Sequence, residues 1–122
     1  MRRYEVTAVT DGDGAAEEQT PVVRGDLESI QYVKAGSGNY ADGVDVLVTD
    51  AVTGETLWTG TNVNASAIVR PRAALHDTAG AAALYADAGE AVLGKIAISG
   101  RIKVAVSAGG AAKTGLFRFI VS

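Results

Sequence analysis

Residues 44–60 read VDVLVTDAVTGETLWTG, and this stretch decides the fold class. Valines at every second position from Val44 to Val48 share one face, which is the period-two pattern of a half-buried strand. The polar residues and the glycine of 50–54 favour a turn. Residues 55–59 then supply the returning strand, so the stretch predicts a β-hairpin.

The same alternation recurs along most of the chain outside this hairpin. Residues 22–34 change parity between Leu27 and Ile30, which predicts a long strand with a bulge near Gly25 or Glu28, or two strands. The other predicted strands are 3–9, 61–70, 91–98, 101–107 and 115–121. Residues 91–98 and 101–107 are predicted to form a hairpin across Ser99-Gly100, and residues 115–121 are predicted to complete it.

Two stretches break the strand pattern. Residues 35–43 are rich in glycine and predict a flexible loop. Residues 71–90 place alanine, leucine and tyrosine at helical spacing, and Asp77 or Thr78 would cap a helix there. A short helix within 77–92 and an ordered, alanine-rich loop both remain open.

The pattern as a whole predicts an all-β fold. About seven to nine short strands separated by turn signals are typical of an antiparallel β-sandwich or barrel of jelly-roll type. The chain has 122 residues, which suits one hydrophobic core. We therefore predict a single domain spanning residues 1–122.

The composition argues against several classes of protein. The absence of cysteine leaves no disulfide framework and no thiolate metal site, which favours assembly in the cytosol. No apolar run is long enough for a membrane helix, and Arg2-Arg3 is followed by no apolar stretch, so no signal peptide is expected. The net charge is −3 and the basic residues are scattered, which disfavours nucleic-acid binding.

Short matches to catalytic motifs lack the partners that the chemistry needs. Asp77-Thr78-Ala79-Gly80 resembles the aspartic-protease signature, but an alanine interrupts it, so a turn or helix cap is preferred. His76 is the single histidine, without zinc ligands around it or a serine nucleophile. The chain is predicted not to be an enzyme and to use no cofactor or metal. A small hydrolase using Asp77 or His76 is the least favoured alternative.

Two further features suggest binding. Trp58 and the four tyrosines are possible stacking surfaces, which gives a host- or carbohydrate-binding β-sandwich as an alternative. Arg24-Gly25-Asp26 spells a cell-adhesion tripeptide, but it lies inside a predicted strand and not at a loop tip. Its occurrence is best explained by chance.

Several short segments form a further pattern. They are Tyr40-Ala41-Asp42-Gly43-Val44-Asp45, Trp58, Asn62-Val63-Asn64-Ala65-Ser66, Pro71-Arg72, His76-Asp77, Ala81-Ala82-Ala83-Leu84-Tyr85, Arg101-Ile102-Lys103-Val104 and Lys113-Thr114-Gly115. Together they resemble a group of small, uncharacterised proteins of tailed bacteriophages that are usually met among head and head–tail structural genes. The similarity covers most of the chain from residue 20 onward and contains no motif that fixes an activity.

The resemblance implies a bacteriophage virion structural protein, assembled in the bacterial cytoplasm. A capsid decoration or cement protein is the first expectation, because the chain is mildly acidic and lacks a basic stripe; a head–tail connector or neck ring component is the alternative. The expected partners are the major capsid protein or other virion subunits, and further copies of the chain in a trimer or higher oligomer. The expected contact elements are the N-terminal segment, loops 36–43 and 108–115 and the tract 70–85, and the contact residues are Tyr40, Asp42, Arg70, Arg72, His76, Asp77, Tyr85 and Lys113.

Overall fold

The computed structural model describes residues 1–86 and 89–122, and every regular element within them is a β-strand. None of the described residues belongs to a helix that could span a membrane. There are more strands than the seven to nine predicted. They are β1 (Arg2–Val9), β2 (Ala16–Gln19), β3 (Val23–Lys34), β4 (Asp45–Asp50), β5 (Thr56–Gly60), β6 (Ala67–Val69), β7 (Ala73–Ala74), β8 (Leu93–Gly94), β9 (Ile96–Gly100), β10 (Ile102–Ser107) and β11 (Thr114–Val121).

The strands form two antiparallel sheets that enclose one core. The first sheet has the order β1-β11-β3, and both β6 and β9 pair with the edge of β3 that faces away from β11. The second sheet has the order β2-β10-β4-β5, while β7 and β8 form a separate short pair. The prediction of an antiparallel all-β sandwich or barrel is confirmed.

The core contains every second side chain of the central strands, as the alternating burial of β10 and β11 shows. At its centre the ring of Tyr32 lies between two others, with centroids 5.2 Å from Phe117 and 6.0 Å from Tyr40. Burying a large apolar side chain completely contributes about 1.5–3 kcal/mol to folding. This aromatic group is therefore a main source of the stability of the sandwich.

The hairpin predicted over 44–60 is present as β4 and β5. The turn between them is organised by Asp50, whose carboxylate accepts hydrogen bonds from the N–H groups of Val52 (2.8 Å) and Thr53 (3.2 Å). Aspartate favours turns by making such bonds to backbone groups that follow it. The local sequence is therefore sufficient to determine this hairpin.

β3 is one continuous strand with a bulge at Glu28. Ile120 and Val121 are consecutive in β11, yet they pair with Ser29 and Leu27, so Glu28 is the extra residue. The predicted bulge is confirmed, at the second of its two expected positions. Because a bulge bends the strand and redirects the bulged side chain, it determines where Glu28 points.

The predicted hairpin of 91–98 with 101–107 is wrong. β9 pairs with β3 in the first sheet, whereas β10 lies between β2 and β4 in the second, and β11 pairs with β1 and β3. The chain changes sheets at Gly100, where a Cβ atom would lie only 2.5 Å from Cγ2 of Val52. Period-two alternation is the same in both arrangements, so it did not identify the partner strand.

The helix considered within 77–92 is not formed by the described residues, which make short β-bridges instead; Asp87 and Ala88 lie outside the described residues. A helix of this length is marginal in water unless a face of it is packed against the core. Gly80, with a φ of 84°, also adopts a conformation that a helix does not contain. The alternative of an ordered, alanine-rich segment is the one observed.

Candidate protein-contact surface

A projection leaves the edge of the first sheet between β6 and β9. β6 pairs with residues 30–32 of β3, and β9 pairs with residues 23–27, so the chain between them departs at the level of Glu28. We call residues 70–95 the arm. Most of its described residues are exposed, so the arm extends away from the sandwich and does not cover it.

A three-way junction of backbone hydrogen bonds organises the arm. The N–H of Leu75 donates to the carbonyl of Val92 (2.8 Å), that of Val92 donates to Ala83 (2.8 Å), and that of Ala83 donates to Leu75 (2.7 Å). Three short ribbons meet at this triangle. One is β7 with β8, and the others pair His76 with Ala82 and Leu84 with Ala91. The junction satisfies the backbone polar groups where the ribbons meet and gives the arm a defined shape.

Asp77 closes the ribbon that contains His76. Its Oδ1 accepts hydrogen bonds from the N–H groups of Ala79 (2.9 Å) and Ala81 (3.0 Å). This is the turn-forming use of aspartate, and it supports the interpretation of Asp77 as a turn residue. Because Asp77 and His76 are both exposed, no enclosed site surrounds either of them.

Glu28 connects both ends of the arm to β3. Its backbone carbonyl accepts a hydrogen bond from Nη1 of Arg72 (3.2 Å), and its carboxylate accepts one from Nζ of Lys95. The hydrogen bond from Lys95 and, after it, a hydrogen bond from Ser122 to the same carboxylate hold the pKa of Glu28 below its ordinary value of 4.5. The bulge therefore positions one residue that holds both the first and the last segment of the arm.

Large apolar side chains are exposed on the arm: Leu84, Leu93 and Tyr85 are 44%, 56% and 76% exposed. Leu84 pairs with Ala91, and Leu93 pairs with Ala74. Paired residues, and residues two apart in a strand, share a face, so both leucines are on the same side. The side consists of Ala74, His76, Ala82, Leu84, Ala91 and Leu93, which we call the apolar face; it holds no lysine, arginine, aspartate or glutamate.

The structure brings five of the eight predicted contact residues together on the arm. Arg70 and Arg72 lie at its base, the first exposed and the second half-buried against β3. His76, Asp77 and Tyr85 lie further out and are exposed. The tract predicted as a contact element is thus a single structural unit.

Asp42 and Lys113 lie on a different part of the surface. Both belong to loops at the end of the sandwich beyond Lys34, the last residue of β3. Lys34 follows Glu28 by six positions (34 − 28) in β3, which is about 20 Å along a strand. These two residues are therefore separated from the base of the arm.

Tyr40 is a core residue and not a surface contact. Its side chain is 3% exposed, and its hydroxyl donates a hydrogen bond to the carbonyl of Ala8 (2.6 Å). Burial raises the pKa of Tyr40. Gly115 makes the space for the ring, because a Cβ atom at that position would lie 2.5 Å from Cε2 of Tyr40.

The loop over 35–43, predicted to be flexible, is held by its neighbours. The N–H of Ala41 donates to the carbonyl of Gly109 (2.9 Å), and the N–H of Thr114 donates to that of Gly38 (2.8 Å). The glycine-rich loops therefore support one another at this end of the sandwich.

Trp58 does not form an open stacking platform. Its side chain is half-buried and packs against the core. A Cβ atom on Gly60 would lie 2.9 Å from Cζ2 of Trp58 and 2.5 Å from Cγ2 of Val63, which shows how closely the indole is enclosed. The carbohydrate-binding alternative therefore retains only the exposed part of the indole as a stacking surface.

Sequence reasoning missed the two leucines of the apolar face and the anchoring role of Glu28. Leu84 was included in a possible helix, where it would have been buried. The signal that argued otherwise was the pair Gly80 and Gly89 within that stretch, since glycine is disfavoured inside helices. No sequence signal indicated that Glu28 would contact Lys95, which is 67 positions away.

No protein-family model matches the sequence, and no curated protein is significantly similar to it. Among the described residues, no three histidine, aspartate or glutamate side chains come together as a metal site would require.

Replacing Glu28 by glutamine is expected to loosen the arm without unfolding the sandwich. Amide hydrogen exchange should accelerate several-fold at Leu75, Ala83 and Val92, while the amides of β10 and β11 stay protected. Because the pKa of Glu28 is lowered in the folded state, its contribution is present above its ordinary pKa and is lost as the pH falls. The native chain should thus show the same loosening on acidification, measured after correction for intrinsic exchange rates.

A glutamine at Glu17 is the matched control for this variant. Glu17 also forms a surface ion pair, with Lys103 at 3.4 Å, but on the second sheet. Its replacement should leave exchange in the arm unchanged. Equal exchange in the arm of the native chain and of the Glu28→Gln variant would show that the carboxylate of Glu28 does not anchor it.

Proposed function

We propose that this chain is a bacteriophage virion structural protein, a capsid decoration or cement protein that attaches to the major capsid lattice through its arm. The observation that carries the proposal is the apolar face, presented together with exposed Tyr85 on a projection that is anchored to a stable sandwich. The resemblance of the sequence to phage head and head–tail proteins supports the virion as the setting.

The arm is suited to contact with protein because of the kind of surface that it exposes. Clusters of large apolar side chains on a small soluble domain usually mark an interaction site. Leu84 and Leu93 lie on the apolar face, and Leu75 and Tyr85 lie on the opposite side of the arm; each is about half exposed or more. Burying the remainder would contribute about 1 kcal/mol per side chain where a partner encloses both sides. A projecting element of this kind reaches a groove on a neighbouring subunit more readily than the flat face of a sheet does.

The strength of one such contact explains why a lattice would be needed. About 4 kcal/mol in total, before the entropic cost of association is subtracted, corresponds to a dissociation constant no tighter than about 1 mM, which is weak for a single copy. Copies that are held together in an oligomer bind a repeating lattice with a much greater combined strength. A decoration protein is therefore a role in which an arm of this size is sufficient.

The charge of the arm favours a role on the outside of the shell. Between Arg72 and Lys95 the sequence has three acidic residues and no lysine or arginine. A ring that lines the path of DNA would bring these acidic groups near phosphates, where like charges repel. The connector role is thus the second choice.

The proposal is tested with the phage that encodes this chain. We expect mass spectrometry of purified particles to find the chain in a fixed ratio to the major capsid protein, and a reconstruction to show it on the facets with the arm against capsid subunits. Its absence from purified particles would refute the virion proposal. A ring at the portal vertex would refute decoration and favour the connector.

A further inference from the structure

β1 is the last strand of the first sheet, and one of its edges is open. In the described part of the chain it pairs with β11. The N–H of Thr10 donates to the carbonyl of Lys113 (2.8 Å), so the even-numbered residues of β1 direct their backbone groups toward β11. The odd-numbered residues direct theirs outward along the open edge; they are Arg3, Glu5, Thr7 and Val9.

The side chains along this edge are complementary to themselves. If two copies of β1 pair antiparallel about Tyr4, Arg3 of each copy lies opposite Glu5 of the other. Both side chains are on the exposed face of the sheet, where opposite charges on directly opposed residues attract. Glu5 already contacts Arg118 at 2.9 Å and Arg3 at 3.6 Å within its own chain, so the pairing extends an existing row of alternating charge.

Other registers are less favourable. Pairing about Arg3 or about Glu5 places like charges directly opposite each other. Pairing further along the strand brings the second copy toward β2, which follows β1 through the turn at 10–15 and packs beside it. The register about Tyr4 involves only residues 1–7, so it avoids both problems.

Tyr4 suits the centre of such a pair. Its side chain is half-buried and packs against the margin of the core. At a two-fold axis the two tyrosines would form a pair without backbone hydrogen bonds, in which the Cα atoms are about 4.5 Å apart. Aromatic side chains in that position contact each other across the strands, and each would cover the exposed part of the other.

We propose that a second copy of this chain binds at the open edge of β1 and forms a symmetric dimer whose first sheets join into one continuous sheet centred on Tyr4. The same patch serves both partners, as in other two-fold interfaces. One pair of strands buries less area than a standard interface, so the dimer should be weak and should dissociate on dilution. The proposal is independent of what the arm binds.

The first experiment is a charge exchange, measured by sedimentation velocity over a concentration series. Arg3→Glu and Glu5→Arg should each weaken dimerisation at least about tenfold, and an equimolar mixture of the two variants should restore it, because each then supplies the opposite charges that the other needs. Lys103→Glu breaks an ion pair on the second sheet and should leave dimerisation unchanged. A native chain that stays monomeric up to about 1 mM, or variants that dimerise as well as it does, would refute the proposal.

The second experiment tests the register and uses the absence of native cysteine. Tyr4→Cys should form a disulfide-linked dimer on mild oxidation, because the spacing at the centre of the pair suits a disulfide. Val9→Cys, which is also on β1 and exposed, has no opposing residue in this register and should stay monomeric. Cross-linking at Val9, or none at Tyr4, would show that the strands do not pair about Tyr4.

Discussion

A variant with serine at Leu84, Tyr85 and Leu93 is expected to lose at least about a hundredfold in binding to capsids that lack the chain. Each change removes a large side chain from the proposed contact and so loses the burial of its exposed part, which is about 1 kcal/mol. Three losses together give about 3 kcal/mol, which is roughly a hundredfold. Binding is measured by co-sedimentation of the purified chain with particles from a deletion phage.

The same variant should keep its fold, because these side chains are outside the core. Its unfolding midpoint in urea should therefore match that of the native chain closely. Val52→Ser is the matched control, since Val52 is 70% exposed in the turn between β4 and β5 and is not part of the arm. If the triple variant binds as well as the control does, the arm is not the attachment site.

The parts of the fold that could be predicted are those determined by neighbouring residues. The hairpin of β4 and β5 follows from alternating valines and from Asp50, which bonds to residues two and three positions away. The bulge in β3 was visible because a change of parity can be detected within one strand. In both cases the information lies within a few residues of the feature.

The parts that could not be predicted depend on residues far apart in the chain. The apolar and polar residues of β9 and β10 alternate in the same way whether these strands pair with each other or belong to different sheets. The sequence pattern therefore does not show that the chain crosses from one sheet to the other at Gly100. The anchoring of the arm brings Glu28 to Lys95 through a bulge in a distant strand. Pairings of this kind are determined by packing of the whole domain and not by local preference.

The candidate site was predicted in outline but not in its chemistry. The tract 70–85 was expected to contact a partner, and it forms most of the projecting arm. The polar residues chosen within it, such as Asp77, hold turns, whereas the exposed leucines carry the apolar character. Tyr40 was misplaced because a tyrosine in a glycine-rich loop suggests exposure, while Gly115 on a distant strand makes room for its ring in the core.

Gly25→Ala is expected to destabilise the domain by about 2–6 kcal/mol. Gly25 has a φ of 135°, and holding a non-glycine residue in so rare a conformation costs about 1–3 kcal/mol. A Cβ atom there would also lie 2.1 Å from the backbone oxygen of Ser122 and 2.9 Å from Cγ1 of Val121. Forcing extra atoms into a packed site costs about 1–3 kcal/mol more. Urea unfolding followed by circular dichroism measures the change.

Gly36→Ala is the matched control for this prediction, since a Cβ atom at Gly36 meets nothing within 4 Å and its φ lies outside the positive range. An alanine there restricts the unfolded chain without straining the folded one, so stability should stay the same or rise by up to about 1 kcal/mol. The contrast also bears on Arg24-Gly25-Asp26, where the structure requires glycine because β3 passes close to the end of β11. If Gly25→Ala proves as stable as Gly36→Ala, that close approach does not exist, and the tripeptide would have to be reconsidered as an exposed recognition element.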